Sequence, residues 1–310
     1  MIQTRYDALW SHEIEQEILT DTMFATISCR QCGYVEKSVF RGSSGKCPSC
    51  GSRRLVVSEF NQRNAIVADN TEKFALQLFQ SVVNNSDILK GKFFIKRNVE
   101  CPQLELRGRT KADLAILDDN LDGPIHPEKI KCIFEVKMSL IWNWSYEDRS
   151  KPLADYDGHA GRPSIYRTDS ILKAIGKAAI TRACRGSERI PFVVVGNAPP
   201  PVAYRDKIDG TVRSGLIQKW ISLTPTPLVV ESTKSPGNRN PKETFGFSRI
   251  DSTAELEDIF MNILTKDWRY VGAMVEPKEI GAIIRGLDLS RTDEEIGEAF
   301  LTSMEGIKID

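Results

Sequence analysis

The chain lacks several features that would define its class directly. No run approaches the roughly eighteen consecutive apolar residues of a membrane-spanning helix, so no helical span is expected. The opening MIQTRYDALWSHEIEQEI is too polar and too acidic for a secretory signal, so the cytoplasm is the expected compartment, with no membrane partner. No glycine-rich phosphate loop of the form G-x-x-x-x-G-K-S/T is present, which argues against an intrinsic ATP motor. Charge of one sign is not in excess: 42 basic residues balance 42 acidic ones, so the total gives no pull toward nucleic acid. The balance is uneven along the chain, with seven Lys/Arg against two acids from His159 to Arg189 and seven acids against two bases from Asp288 to Asp310. Histidine is scarce, at three residues; His12 reads as a polar helix residue and His126 as a turn residue.

What is present is a chain of 310 residues, 41% hydrophobic and 27% charged, enough for one large or two smaller globular domains with a sizeable core. Its seven cysteines, at 29, 32, 47, 50, 101, 132 and 184, are odd in number and lack a secretory context, which points to reduced thiols. Around residues 5–20, Leu9, Ile14 and Ile18 recur at helical spacing, and the segment 1–24 reads as an amphipathic N-terminal helix. Cys29-x-x-Cys32-Gly33 and Cys47-x-x-Cys50-Gly51 follow, with fourteen residues between the pairs. Each pair brings two thiolates to one ion, and the following glycine permits the turn's positive φ. Joined by a hairpin through Gly42-Ser-Ser-Gly45, the two knuckles over residues 25–58 read as a zinc ribbon. Four thiolates close the coordination shell, so this Zn²⁺ is expected to be structural. Arg30, Lys37, Arg41, Lys46, Arg53 and Arg54 suit phosphate contacts and equally suit a solvated face.

The stretch 59–200 carries the most information. FALQLFQSVV, preceded by Asp69-Asn70-Thr71-Glu72, reads as a helix; KFFIKRNVE, RTKADLAILD and KIKCIFEVKMS read as strands; SILKAIGKAAITRAC, with Asp169 as its expected cap, reads as a second helix; and IPFVVVGN reads as a buried strand. Period-two alternation puts Cys132, Phe134, Val136 and Met138 on one face of the third strand and Ile133, Glu135 and Lys137 on the other. On the preceding strand Asp113 is a lone acid among small and apolar neighbours, a costly placement unless the charge is paired or binds a cation.

Asp113, then twenty-one residues, then Glu135-Val136-Lys137 is similar to the signature of the PD-(D/E)XK nucleases, and the order helix, three strands, helix, strand resembles their αβββαβ core. Ala112 stands where the signature has proline. The resemblance implies an α/β fold, a restriction endonuclease-like core bearing the ribbon and a C-terminal extension over 201–310, and hydrolysis of phosphodiester bonds in double-stranded DNA. It implies that Asp113, Glu135 and the Val136 carbonyl hold Mg²⁺, while Lys137 orients the attacking water and stabilises charge. The family often adds an acid from the first helix. Glu72 is the candidate, although Asp69-x-x-Glu72 also fits a capping box.

Arg162 and Arg167, in a long polar loop with His159 and Tyr166, and Lys173 and Lys177, four apart on one helix, are the expected DNA contacts. The run Ala198-Pro-Pro-Pro201 marks an expected boundary or rigid turn. The region beyond it, with the basic loop KSPGNRNPK and the helical STAELEDIFMNIL, suits target recognition or dimerisation. Three functions compete. The first is a type II restriction endonuclease, a homodimer with a cognate DNA methyltransferase as its genetic companion. The second is a repair, junction-resolving or other defence nuclease with the same centre. The third is a zinc-ribbon protein that binds nucleic acid without cutting it.

Overall fold

A computed structural model describes residues 9–38, 47, 49–52, 55–57, 60–142, 144–150, 163–223, 243–270 and 277–305. Its centre is a six-stranded sheet of β4 (Phe94–Val99), β5 (Ala112–Leu117), β6 (Ile130–Lys137), β7 (Phe192–Gly196), β8 (Lys219–Ser222) and β9 (Phe247–Arg249), in that spatial order. β4, β5 and β6 pair antiparallel, whereas β6 to β9 run parallel, so the sheet is mixed with a parallel majority. The parallel strand β7 is buried along its whole length, which is why its sequence is a continuous apolar run without alternation.

Helices cover both faces. α2 (Phe60–Asn85) and α5 (Thr253–Thr265) bury one face, where Phe79 and Phe260 pack edge-on at 5.1 Å and Phe79 lies 5.0 Å from Phe134. α3 (Thr168–Arg182) and α4 (Arg205–Arg213) cover the other with Ile171, Ala174, Ala178 and Ile208 against Val194 and Trp220. The N-terminal unit is a short helix α1 (His12–Ile18) and a small antiparallel sheet of β1 (Ala25–Cys29), β2 (Val35–Ser38) and β3 (Leu55–Val57), ordered β2-β1-β3.

The order helix, three strands, helix, strand is found as α2-β4-β5-β6-α3-β7. Several boundaries differ from expectation, beginning with the N-terminal helix, which among the described residues is confined to His12–Ile18. α2 begins at Phe60, so Asp69 and Glu72 lie inside the helix and form no capping box; Ile66 and Val67 in the added turns pack with Met23, Phe24 and Trp144. α3 is capped by Arg167, with Asp169 in its first turn. The boundary expected at Pro201 does not break the fold. β8 and β9 extend the same sheet, and Leu256, Phe260 and Ile263 of α5 enter the same core. The acidic tail from Asp288 contains α7 (Asp293–Glu305), and α6 (Pro277–Gly286) precedes it. The turn at Gly42–Gly45, the loop with His159 and Arg162, and KSPGNRNPK lie outside the described residues.

Candidate active site and thiolate cluster

The acidic centre forms where β5 and β6 part. Their backbone ladder reaches Leu114 opposite Phe134, and one step further the Asp113 side chain replaces a ladder carbonyl, Oδ2 accepting the Val136 N–H at 2.8 Å. That step also puts Asp113 beside Glu135 and Lys137 on the face covered by α3. Lys137 Nζ ion-pairs with Glu135 Oε1 and lies 3.5 Å from Asp113 Oδ2. The three residues of the motif are therefore one cluster. Glu135 is its deepest member, its side chain 5% exposed, while Asp113 and Lys137 keep 16% and 21% of theirs in solvent.

A fourth group completes the cluster. Lys177 of α3 reaches Glu135 Oε2 at 2.5 Å and Asp113 Oδ1 at 3.2 Å, and donates to the Lys111 carbonyl at 2.6 Å. Despite this ion pair, Glu135 Oε2 has no aligned hydrogen-bond donor and is buried. Burial is the main force raising the Glu135 carboxyl above its ordinary value, with the Asp113 charge next; the two lysines oppose it. Burial depresses the Lys137 ammonium, but the charges of Glu135 and Asp113 outweigh it and leave its pKa raised.

Glu72 stands nearby but is engaged elsewhere. Arg97 of β4 clasps its Oε2 through Nε at 3.1 Å and Nη2 at 2.9 Å, and Nη2 also meets Asp69 Oδ1 at 2.5 Å. Burial and then the Asp113 charge raise the Glu72 carboxyl; Arg97, and less strongly Lys137, lower it, so Glu72 feels the centre electrostatically. A direct role for Glu72 as a metal ligand would require Arg97 to release it.

The expected DNA contacts separate by position. Lys173 is 75% exposed and Arg167 50%, both near the Asp169 carboxylate. Lys177 is turned inward to the acids, because it borders the stripe of Ala174, Ala178 and Thr181 that α3 presents to the sheet. Arg162 lies outside the described residues. Arg182 is buried and bonds Gln218 Oε1 at 2.7 Å, a packing role within the fold.

Ser164 and Asn197 also support the centre, and little in the sequence marks them. Ser164, held at a left-handed φ of 54°, donates its hydroxyl to the Lys137 carbonyl and accepts the Asn197 N–H at 3.0 Å. Asn197 in turn accepts the Ser139 N–H at 3.0 Å and donates to the Ser139 carbonyl at 2.6 Å, tying the exits of β6 and β7 together. Gly196 permits this approach: a Cβ there would stand 2.8 Å from Ser164 Oγ and 2.9 Å from Ile165 Cγ1.

The four paired cysteines converge, with Sγ atoms of Cys29, Cys32, Cys47 and Cys50 all within 4.8 Å of one another. The Cys29–Cys50 and Cys32–Cys47 separations are 3.7 and 3.5 Å, close to the ~3.8 Å edge of a tetrahedron with ~2.3 Å metal–sulfur bonds. Both knuckles have the expected form: Gly33 and Gly51 each have φ of 71°, and their amides donate to Cys29 and Cys47 carbonyls at 3.0 and 2.8 Å. The Cys32 amide is the main cause drawing the Cys29 thiol down to about 6, toward thiolate. This cluster could hold a metal such as zinc.

The N-terminal unit grips the segment that leaves β6. Arg149 pairs with Asp21 at 2.6 Å and lies 4.6 Å over the Phe24 ring, while Lys37 sits 4.4 Å over Tyr146. Glu15 of α1 is fully buried and accepts four hydrogen bonds, from the amides of Ile141 and Trp142 and the indoles of Trp10 and Trp144.

No helix among the described residues is long and apolar enough to cross a membrane. The chain matches no protein-family model, no curated protein and no solved structure.

Proposed function

We propose that this chain is a Mg²⁺-dependent endonuclease of the PD-(D/E)XK kind, hydrolysing double-stranded DNA in the manner of a type II restriction enzyme. The observation that carries this reading is the convergence of Asp113, Glu135 and Lys137 on adjoining strands, with Asp113 Oδ2 and the buried Glu135 Oε1 facing one Lys137 ammonium. Paired carboxylates suit a hard cation: Asp113 Oδ2 and Glu135 Oε1 would hold magnesium, and the Val136 carbonyl, 3.3 Å from Lys137 Nζ, adds a third oxygen on that side. When bound, magnesium would supply Lewis-acid relief of phosphoryl charge and a water acidified toward neutral pH. Lys137, on a side chain that reaches solvent, would orient that water and stabilise the extra negative charge of the transition state. Lys173 and Arg167 would meet backbone phosphates. A homodimer would bring two such centres to two strands, and a cognate DNA methyltransferase would protect the host sequence.

The test is digestion of a sequenced supercoiled plasmid with Mg²⁺ or with EDTA, followed by mapping of the fragment ends. Defined fragments are expected with Mg²⁺ alone, and Lys137→Ala is expected to cut about 10²–10³-fold more slowly. Ends at one short sequence would mark a restriction enzyme, and ends at junctions or lesions a repair or resolving nuclease. Cleavage that survives EDTA would defeat the reading. One observation favours a second function: Lys137 and Lys177 already neutralise both acids, as in a self-contained ion-pair cluster. Plasmid binding without cutting would select that alternative, a zinc-ribbon nucleic-acid-binding protein.

The thiolate cluster is read as structural zinc. The sheet β1–β3 is small, and zinc can contribute about 10–16 kcal/mol to folding such a unit. Cys32→Ser is therefore expected to lose the metal, as counted by elemental analysis, and to lose hydrogen-exchange protection across Ala25–Ser38. Full metal content in that variant would contradict the assignment.

A further inference from the structure

Two ammonium groups serve the acid pair, and they divide its oxygens between them. Lys137 faces Asp113 Oδ2, Glu135 Oε1 and, at 3.3 Å, the Val136 carbonyl. These are the oxygens assigned above to magnesium, and Lys137 can leave them by swinging toward solvent, since its side chain is 21% exposed. Lys177 takes the opposite oxygen of each acid, Asp113 Oδ1 at 3.2 Å and Glu135 Oε2 at 2.5 Å. It is far less free. Its stem rises from the packed face of α3 between the fully buried Ala174 and Ala178, and the Lys111 carbonyl holds its ammonium at 2.6 Å.

Resting on the nuclease reading, we propose that Lys177 is a built-in second cation that restricts the Asp113–Glu135 centre to one divalent ion. In two-metal sites the ions lie ~3.5–4 Å apart and share acidic ligands. An ammonium held within 3.2 Å of Asp113 Oδ1 and 2.5 Å of Glu135 Oε2 fills the place of the second ion. Its positive charge also repels an incoming cation at short range, where the shielding of bulk water is reduced. One ion then binds on the Oδ2, Oε1 and Val136 side, and Lys177 remains as the fixed charge opposite it.

The experiment counts ions and does not rely on turnover. Zinc-loaded full-length protein is titrated with Mn²⁺ by calorimetry, and paramagnetic resonance reports spin coupling between any two ions at one centre. Asp113→Asn serves to subtract binding elsewhere. The wild type is expected to take one Asp113-dependent Mn²⁺ with an uncoupled spectrum. Lys177→Gln, which keeps a donor for the Lys111 carbonyl, and Lys177→Met are each expected to take two with a coupled spectrum. Lys177→Arg, which restores the charge, is expected to return to one. Two coupled ions in the wild type would overturn the proposal whatever the variants do. One ion in both neutral variants, at wild-type affinity, would overturn it and leave the nuclease reading standing. No Asp113-dependent ion in any of the four proteins would remove the nuclease reading and this proposal together.

Discussion

Asp113→Asn is expected to fold, to hold DNA at least as tightly as the wild type, and to lose about 10³-fold or more in Mg²⁺-dependent cleavage. The choice of asparagine follows from the second task of Asp113. Its Oδ2 accepts the Val136 N–H at 2.8 Å, where the β5–β6 ladder has ended. Alanine would leave that amide unsatisfied, at a cost of about 1–3 kcal/mol, and would confuse a folding defect with a chemical one. Asparagine keeps an acceptor for the Val136 N–H and removes the charge, at the cost of turning its amide nitrogen toward the Lys177 ammonium that Oδ1 meets at 3.2 Å. Removing one negative charge beside Glu135 and Glu72 also weakens the repulsion that incoming phosphates meet, so binding is expected to hold or tighten, most visibly at low salt. Cleavage rates, gel-shift affinity and thermal melting of the one variant separate the three effects. A variant that cuts within tenfold of wild type would show that Asp113 does not hold the reactive cation.

Much of this arrangement was legible in the sequence because strand periodicity and motif spacing act locally. Alternation along 130–138 assigns Phe134 and Val136 to the core shared with α2, and sends Glu135 and Lys137 to the other face. The structure places them so. The two Cys-x-x-Cys-Gly knuckles are equally local, each needing only a tight turn and a glycine at positive φ. What was not legible depends on contacts across the fold. Lys177 has the same spacing as any solvated lysine four residues after Lys173, and only the seating of α3 on the sheet turns it toward the acids. The Asp69 and Glu72 pair has a capping signature, but Arg97, a strand away, recruits both carboxylates within a helix that began nine residues earlier than Asp69. The proline run at 199–201 reads as a boundary or rigid turn, yet beyond it the chain returns through α4 to pair β8 with β7, because Trp220 and Ile221 belong to the two faces of one sheet. The helices α6 and α7 went unread even though Ile280, Ile283 and Ile284 recur at helical spacing in α6; neither helix buries any of its described residues.

The other large expected effect lies far from the acids in sequence. Glu15→Ala should destabilise the protein by about 3 kcal/mol or more, because each buried donor left without an acceptor costs about 1–3 kcal/mol. The carboxylate takes amide hydrogens from Ile141 at 2.7 Å and Trp142 at 2.9 Å, and indole hydrogens from Trp144 at 2.9 Å and Trp10 at 3.3 Å. Without it, four buried donors lose their acceptor, and α1 loses its tie to the segment that follows Lys137. The pH dependence supplies a second readout. Burial is the largest influence on the Glu15 carboxyl and pushes it from 4.5 up to about 8, against the pull of the four donors. A carboxyl raised in the folded state contributes stability that is complete below its unfolded value and is lost as pH rises through the folded one. The gap in melting temperature between wild type and Glu15→Ala should therefore be widest near pH 4.5 and narrow toward about 8. A gap that instead widens over that range would mean that the four donors outweigh burial and that the ionised carboxylate is the form that locks α1 onto the core. Equal melting of the two proteins at every pH would mean that the network carries no stability, and that the N-terminal unit holds the segment after β6 through its aromatic and Arg149 contacts alone.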